Sequence, residues 1–250
     1  MKTKIFTNLV DVYELWRETT LEKKHNEIRE TEFIKKIFHQ QTSTIQNVID
    51  LGGGIGLHAN LLETNGYDST VFDQSKKALS IAKKKNVNIQ TVCGSFEQIH
   101  LAKQYDAAIC MWSTLSYIHT EKGRVHFYQW MNKNIRKIII LEQANFYRYP
   151  ATFHKVYYGE NNQHTIKITR NWQLNKKNIK NTQYRYEIYS KKKHTIRIIK
   201  DAEKEHYLSV DQLKKYLGDT WHLRYLLGDY SLSEKYNKNS SKRMIAVFYR

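Results

Sequence analysis

Residues 48–56 read Val-Ile-Asp-Leu-Gly-Gly-Gly-Ile-Gly, and this stretch decides the fold of the chain. Two β-branched residues precede Asp50, and positions 52, 53, 54 and 56 after it are glycine. This order predicts a buried strand, a tight turn and the start of a helix. Glycine allows positive φ in the turn and lets a ligand approach the backbone, while the first N–H groups of the helix stay available to bind it.

Spacing separates three kinds of glycine-rich loop. A Walker loop ends in Gly-Lys-Ser/Thr, which this stretch lacks, and the dinucleotide fingerprint G-x-G-x-x-G, counted from Gly52, requires glycine where Leu57 stands. The pattern present is Asp-x-Gly-x-Gly-x-Gly, formed by Asp50, Gly52, Gly54 and Gly56. It resembles motif I of class I S-adenosylmethionine (SAM)-dependent methyltransferases, and this resemblance implies SAM as the cofactor.

A second acid follows the next predicted strand. Residues 69–72 form that strand, and Asp73 lies at its tip, where a carboxylate can accept both ribose hydroxyls of an adenosine. Gln74 comes next and is placed beside the cofactor. Ser75 is expected to cap the helix over residues 76–85.

The third and fourth strands complete the predicted cofactor site. Where methyltransferases usually have Gly-Asp, this chain has Gly-Ser, so the resemblance implies that adenine is held by the Ser95 hydroxyl, the Phe96 amide or apolar contact. Ligands of doubly wound sheets lie beyond the carboxyl ends of the strands. Met111 and Trp112, at the end of the fourth strand, should therefore lie near the transferred methyl group.

An N-terminal helical segment precedes the first strand and can fold over the ligand as a lid. Tyr13 is the candidate cofactor contact on it. The alternative is that Tyr13 and Trp16, which share a face of this helix, simply pack on the core.

The candidate acceptor residues follow the fourth strand. Residues 106–119 resemble a segment of bacterial N-methyltransferases that act on nucleotide-linked amino sugars, and they lack the Asp/Asn-Pro-Pro-Tyr of enzymes that methylate DNA base amines. His119 and His206 are candidate proton acceptors because imidazole titrates near neutral pH. Tyr117 can present its hydroxyl to the substrate. For each histidine the alternative is a structural or surface role.

The chain is expected to form an α/β fold with a Rossmann-like, doubly wound, mostly parallel sheet of about seven strands. Residues 1–150 should hold the lid helices and the SAM-binding core. Period-two alternation in residues 151–207 predicts an antiparallel β insert that forms a substrate wall. Residues 208–250 should supply the last helix and the closing β-hairpin.

The net charge and the cysteine content limit which partners and metals the chain can be expected to bind. Lys and Arg number 41 against 24 Asp and Glu, a net charge of +17. This charge indicates either a partner that carries phosphates, such as nucleic acid or a nucleotide-linked metabolite, or a compositional bias, and the wide separation of the lysine runs favours the bias. Cys93 and Cys110 have no metal-type spacing, so we expect two buried thiols and no metal. No apolar run reaches the ~18 residues of a membrane span, and no signal peptide is evident, so a cytoplasmic monomer or homodimer is expected.

The leading interpretation is a SAM-dependent methyltransferase that acts on a small-molecule amine, such as a nucleotide-linked amino sugar, by in-line transfer. Three alternatives stay open: N-methylation of a peptide-derived natural product, methylation of RNA, and a SAM-binding protein without catalysis.

Overall fold

The computed structural model describes residues 4–6, 9, 12–20 and 26–250, which fall into two compact units. The larger unit comprises residues 27–148 and 206–250. The smaller unit comprises residues 149–205 together with the described part of residues 1–26. This division differs from the boundaries drawn from the sequence, which placed the N-terminal helix with the core.

The larger unit is an α/β structure, and its elements are numbered along the whole chain. Its helices are α2 Glu27–His39, α3 Leu57–Thr64, α4 Lys76–Lys85, α5 Glu121–Asn134 and α6 Val210–Leu217. Its strands are β1 Asn47–Leu51, β2 Asp68–Asp73, β3 Gln90–Cys93, β4 Tyr105–Cys110, β5 Ile135–Ala144, β10 His222–Leu227 and β11 Arg243–Tyr249.

These seven strands form one sheet in the order β10-β11-β5-β4-β1-β2-β3. Neighbours from β5 to β3 are parallel, and β11 runs antiparallel to both β5 and β10. The predicted Rossmann-like fold and strand number are confirmed. The chain order reverses at β1 and β4, the place where such sheets bind ligands.

Apolar side chains cover both faces of this sheet, as a doubly wound fold requires. One cluster joins the sheet to α5 and α6 through residues such as Phe127 and Leu213. The other joins it to α2 and α3 through residues such as Ile34 and Leu62. Strands β1 and β4 lie between the clusters and are almost wholly buried, so their carboxyl ends are held rigidly.

The predicted Ser75 cap is confirmed, and two further helices begin at capping residues. Ser75 accepts a hydrogen bond from the Ala78 amide at 3.2 Å, Thr120 accepts one from the Gly123 amide, and Ser209 forms a capping box. The helix after the glycine turn begins only at residue 57, because the preceding glycine still has a left-handed backbone. The prediction of two buried thiols was wrong for one cysteine: Cys110 is buried, but Cys93 ends the edge strand β3 and is exposed.

The smaller unit contains an antiparallel sheet in the order β6-β7-β8-β9. Its elements are α1 Tyr13–Thr20, β6 Thr152–Glu160, β7 His164–Leu174, β8 Ile179–Ser190 and β9 Thr195–His206. The predicted antiparallel insert is therefore present. Apolar residues of the N-terminal segment, including Leu15 and Trp16, pack on the alternating isoleucines and tyrosines of β7 and β8. This burial explains why the N-terminal helix belongs to the smaller unit.

Among the described residues, no helix combines the length and the apolar character needed to cross a membrane.

Candidate active site

The glycine turn adopts the backbone predicted for it. Gly52, Gly54 and Gly56 have φ values of 74°, 55° and 72°, a region that costs other residues about 1–2 kcal/mol each. The Gly52 amide donates to the carbonyl oxygen of Phe72 at 2.7 Å, which ties the turn to the end of β2. Motif I therefore joins the carboxyl ends of β1 and β2.

These glycines differ in how closely other atoms pack around them. A Cβ atom on Gly52 would lie 2.1 Å from Cγ2 of Thr114, and one on Gly53 would lie 2.4 Å from Oδ2 of Asp50. A Cβ atom on Gly54 would meet no atom of the described residues within 4 Å. The turn is thus packed against protein at its base and open at Gly54, where a ligand can approach the main chain.

Asp73 holds the open part of the turn. Its Oδ2 accepts from the Gly54 amide at 3.1 Å, and its Oδ1 accepts from the Ser75 amide at 2.7 Å. Burial raises the pKa of this carboxyl, although these backbone hydrogen bonds act in the opposite direction. Gln74 beside it is exposed, and its carbonyl oxygen lies 3.7 Å from Sγ of Cys93.

Asp50 lies directly beneath the turn and is 2 % exposed. Its Oδ2 is buried, and no residue that the structure describes makes a hydrogen bond to it. Burial raises the pKa of Asp50 to about 6, while the positive charge of His58 lowers it and Asp73 raises it. A buried carboxylate of this kind is stabilised by a cation placed next to it.

The predicted adenine side is lined by aromatic rings. The hydroxyl oxygen of Ser95 accepts from the Glu97 amide and so caps a short helix at 96–98. The Phe96 ring is stacked on Phe72, with centroids 5.9 Å apart, and lies 4.8 Å from the Phe127 ring. An atom of the Phe96 ring would be 3.1 Å from a Cβ on Gly52, so the structure brings this residue to the glycine turn.

The segment after β4 starts with an unusual backbone. Met111 is buried, and the next two residues, Trp112 and Ser113, have φ values of 55° and 62° although neither is glycine. A Glu142 carboxylate oxygen accepts from the Trp112 amide, and the Glu142 carbonyl oxygen accepts from the Ser113 amide at 3.2 Å. Strand β5 thus fixes the first turn of residues 112–119, which are called the methyl-facing segment because the sequence predicts that they lie near the transferred methyl group.

Several buried residues in this region were missed by the sequence analysis. Glu30 Oε2 lies 2.7 Å from Nε2 of His58 and accepts from the Trp112 indole N–H at 2.8 Å. Arg243 NH1 lies 4.0 Å from Oε1 of Glu30 and 3.7 Å from Oε1 of Glu142. Burial lowers the pKa of His58, but the hydrogen bond to Glu30 and the nearby carboxylates raise it. Together they outweigh burial, so the net shift of the pKa is upward.

The candidate acceptor residues differ in their position and in their hydrogen-bond partners. Tyr117 and His119 are half-buried and follow the left-handed turn of the methyl-facing segment. His206 Nδ1 lies 3.0 Å from NH1 of Arg124. A guanidinium only donates, so this nitrogen must use its lone pair to accept that hydrogen bond. This hydrogen bond disfavours His206 as the group that receives a proton, and the roles of Tyr117 and His119 stay predictions.

Tyr13 is the one predicted cofactor contact that belongs to the smaller unit. Its ring stacks on that of Trp16 with centroids 5.7 Å apart, and it packs against the apolar cluster of that unit. Its role at the cofactor stays a prediction.

Comparisons with known proteins agree with this geometry. Residues 48–136 match the family model described as a methyltransferase domain. No curated protein matches the sequence. Among solved structures, a SAM-dependent methyltransferase from Clostridium acetobutylicum ATCC 824 is 12% identical, with a TM-score of 0.80, 97% of this chain covered and 99% of that one.

Two further structures share this fold across nearly their whole length. CalS10, an amino pentose methyltransferase from Micromonospora echinaspora, is 13% identical with a TM-score of 0.72, and 90% of this chain and 92% of that chain are covered. KedS8, a sugar N-methyltransferase from Streptoalloteichus sp ATCC 53650, is 13% identical with a TM-score of 0.76, and 95% and 92% are covered.

The fold, the glycine turn and the matched domain model are those of class I SAM-dependent methyltransferases. Residues 48–136 of this chain are its methyltransferase domain, and SAM is its cofactor. The residues present fit that cofactor: an open main chain at Gly54, the carboxylate of Asp73 at the strand tip, and the buried unsatisfied oxygen of Asp50 suited to a cation.

We expect the Asp50→Asn variant to be more stable than the parent protein at pH 7 and about as stable at pH 4. The folded-state pKa of about 6 lies above the ordinary value of 3.8, so the folded protein binds more protons between these values. The free energy of unfolding therefore falls as pH rises through this window, by on the order of 2 kcal/mol, and asparagine removes this loss.

Thermal unfolding from pH 4 to pH 7 measures this effect, with Asp211→Asn on the exposed first turn of α6 as the control. In the same range SAM should bind the parent protein more tightly as pH rises, because the ionised carboxylate attracts the cationic cofactor. A stability difference that stays constant with pH would contradict the assignment.

Proposed function

We propose that this protein transfers the methyl group of SAM to an amine nitrogen of a small molecule, namely a nucleotide-linked amino sugar. The observation that carries the proposal is the likeness to CalS10 and KedS8 over nine-tenths or more of each chain. That likeness includes the antiparallel sheet as well as the cofactor core. The basic composition suits an acceptor that carries phosphate.

The proposed reaction depends more on how the protein orients the nucleophile than on chemical activation of either reactant. The sulfonium of SAM supplies a methyl group that is already reactive, and a nitrogen lone pair forms the new N–C bond as the S–C bond breaks. The protein holds the nucleophile close and in line, which supplies much of the rate enhancement of such reactions. Asp73 and the open glycine turn fix the cofactor in this scheme, while Tyr117 and His119 face the acceptor.

A panel of acceptors tests the proposal directly. Purified protein and SAM are incubated with nucleoside-diphosphate amino sugars, their hydroxyl counterparts without the amine, a peptide with a free N-terminus, and total RNA. Mass spectrometry then detects the added methyl group. We expect methylation of an amino sugar nucleotide and none of its hydroxyl counterpart. Methylation of only the peptide or only RNA would overturn the proposal, as would the absence of any turnover.

We expect His119→Ala to lower kcat about tenfold while the Kd for SAM changes little. A neutral amine needs less assistance than the 10²–10⁴-fold typical of general-base catalysis, so the loss is modest. His222→Ala, at an exposed position on β10, is the matched control. Steady-state kinetics at saturating SAM and calorimetry measure the two quantities. Equal losses in kcat and in SAM affinity would assign His119 to the cofactor rather than to proton transfer.

A further inference from the structure

One oxygen atom of Glu30 joins two parts of the larger unit. Glu30 lies on α2 and is completely buried. Its Oε2 contacts Nε2 of His58, close after the glycine turn on α3, and the indole N–H of Trp112, directly after β4. The two rings meet edge to face, with centroids 5.2 Å apart. The carboxylate therefore ties the helix that follows motif I to the segment that follows β4.

Trp112 is held by its backbone as well as by its side chain. Its left-handed backbone, repeated at Ser113, costs about 1–2 kcal/mol per residue and persists only where contacts enforce it. Glu142 accepts the Trp112 amide, and Glu30 accepts the indole. Arg243 lies within 4.0 Å of both carboxylates. Two buried carboxylates, with one cation beside them, thus fix the backbone amide and the indole of Trp112.

The conformation of Trp112 sets the start of the methyl-facing segment. Thr114, two residues later, lies against the turn at Gly52, where an added Cβ would be 2.1 Å from its Cγ2. Tyr117 and His119 follow within the same segment. A change in φ at Trp112 would rotate everything after it relative to the glycine turn.

We propose that Glu30 is a positioning residue for methyl transfer: it holds Trp112 in the left-handed conformation that directs residues 113–119 toward the reacting atoms. This inference rests on the proposed transfer to an amine. Glu30 does not touch the cofactor or the acceptor in this scheme and acts only through Trp112.

Two substitutions weaken the contact from opposite sides. Glu30→Gln keeps the shape and removes the charge, and Trp112→Phe keeps an aromatic ring and removes the N–H donor. We expect each to lower kcat about tenfold with the amino sugar nucleotide that is turned over, since small misplacements cost up to 10²-fold. The Kd for SAM should change less than about threefold, and the double variant should be no slower than the slower single variant, because both substitutions act on the same interaction.

The matched control is Glu32→Gln on the same helix, an exposed glutamate paired with Lys35 at 2.8 Å. It makes the same chemical change and should leave kcat unaltered. Additive losses in the double variant, or equal losses of kcat and SAM affinity in Glu30→Gln, would overturn the proposal. Trp112→Phe provides the comparison if Glu30→Gln does not fold.

A second readout does not depend on turnover. In protein labelled with 5-fluorotryptophan, the ¹⁹F resonance missing from Trp112→Phe identifies Trp112. We expect this resonance to shift or broaden in Glu30→Gln and to stay unchanged in Glu32→Gln. An unchanged resonance in Glu30→Gln would overturn the positioning role even if no acceptor were methylated, so failure of this inference is distinct from failure of the proposed function.

Discussion

Asp73→Ala is expected to weaken SAM binding about a hundredfold. The carboxylate stands at the tip of β2, where it can accept the ribose hydroxyls of the cofactor. Two hydrogen bonds to a charged group are worth about 1.5 kcal/mol each, and about 3 kcal/mol corresponds to a change in Kd of this size. The same carboxylate also receives the Gly54 amide at 3.1 Å, so alanine loosens the turn as well.

Two variants make this result specific. Asp73→Asn keeps one acceptor oxygen and should give an intermediate loss. Asp68→Asn lies at the opposite end of the same strand, where an exposed carboxylate pairs with Lys103 at 3.2 Å, and it should leave SAM affinity unchanged. Isothermal titration calorimetry measures all three. Parent-like affinity in Asp73→Ala, with the fold intact by circular dichroism, would rule out the ribose contact.

The sequence alone predicts the cofactor half of this site because its signals are local. Asp50 and the glycines adjoin one strand, and the positive φ values of Gly52 and Gly54 are what such a turn requires. Asp73 follows a clear apolar strand, and parallel pairing of β1 with β2 brings its carboxylate to the Gly54 amide. Motif spacing and sheet topology suffice for these residues.

The network around Trp112 could not be predicted in this way. Glu30 and Trp112 are separated by 82 positions, and Glu142 and Trp112 by 30, so only the folded chain brings them together. Periodicity finds the apolar stripe of α2 but gives no sign that a glutamate on that helix is buried. The left-handed backbone at Trp112 is equally hidden, because it is enforced by tertiary contacts rather than by glycine.

The position of the N-terminal helix was missed for a similar reason. Its stripe of apolar residues predicts that one face is buried, but not which surface covers it. Trp16 packs against the apolar cluster formed with Ile168 and Tyr186 in the smaller unit, where α1 also contacts β6. The alternation of β7 and β8 marked these strands as half-buried, yet nothing in either pattern paired them with α1.

We expect Gly54→Ala to weaken SAM binding roughly thirtyfold while lowering the stability of the free protein only slightly. In the part of the chain that the structure describes, an added Cβ meets no atom within 4 Å, so the fold bears only the strain of positive φ, about 1 kcal/mol. A ligand that lies against this main chain must then accommodate an extra methyl group, and such overpacking costs about 1–3 kcal/mol.

Gly66→Ala is the matched control, because the chain offers a second glycine of the same kind. Gly66 has a φ of 88° and lies beyond the far end of α3, and a Cβ there also meets none of the described atoms within 4 Å. The two variants should lose similar stability in thermal unfolding, so a difference in Kd by calorimetry reports the ligand alone. Equal affinities in Gly54→Ala and Gly66→Ala would show that the cofactor does not approach the turn at Gly54.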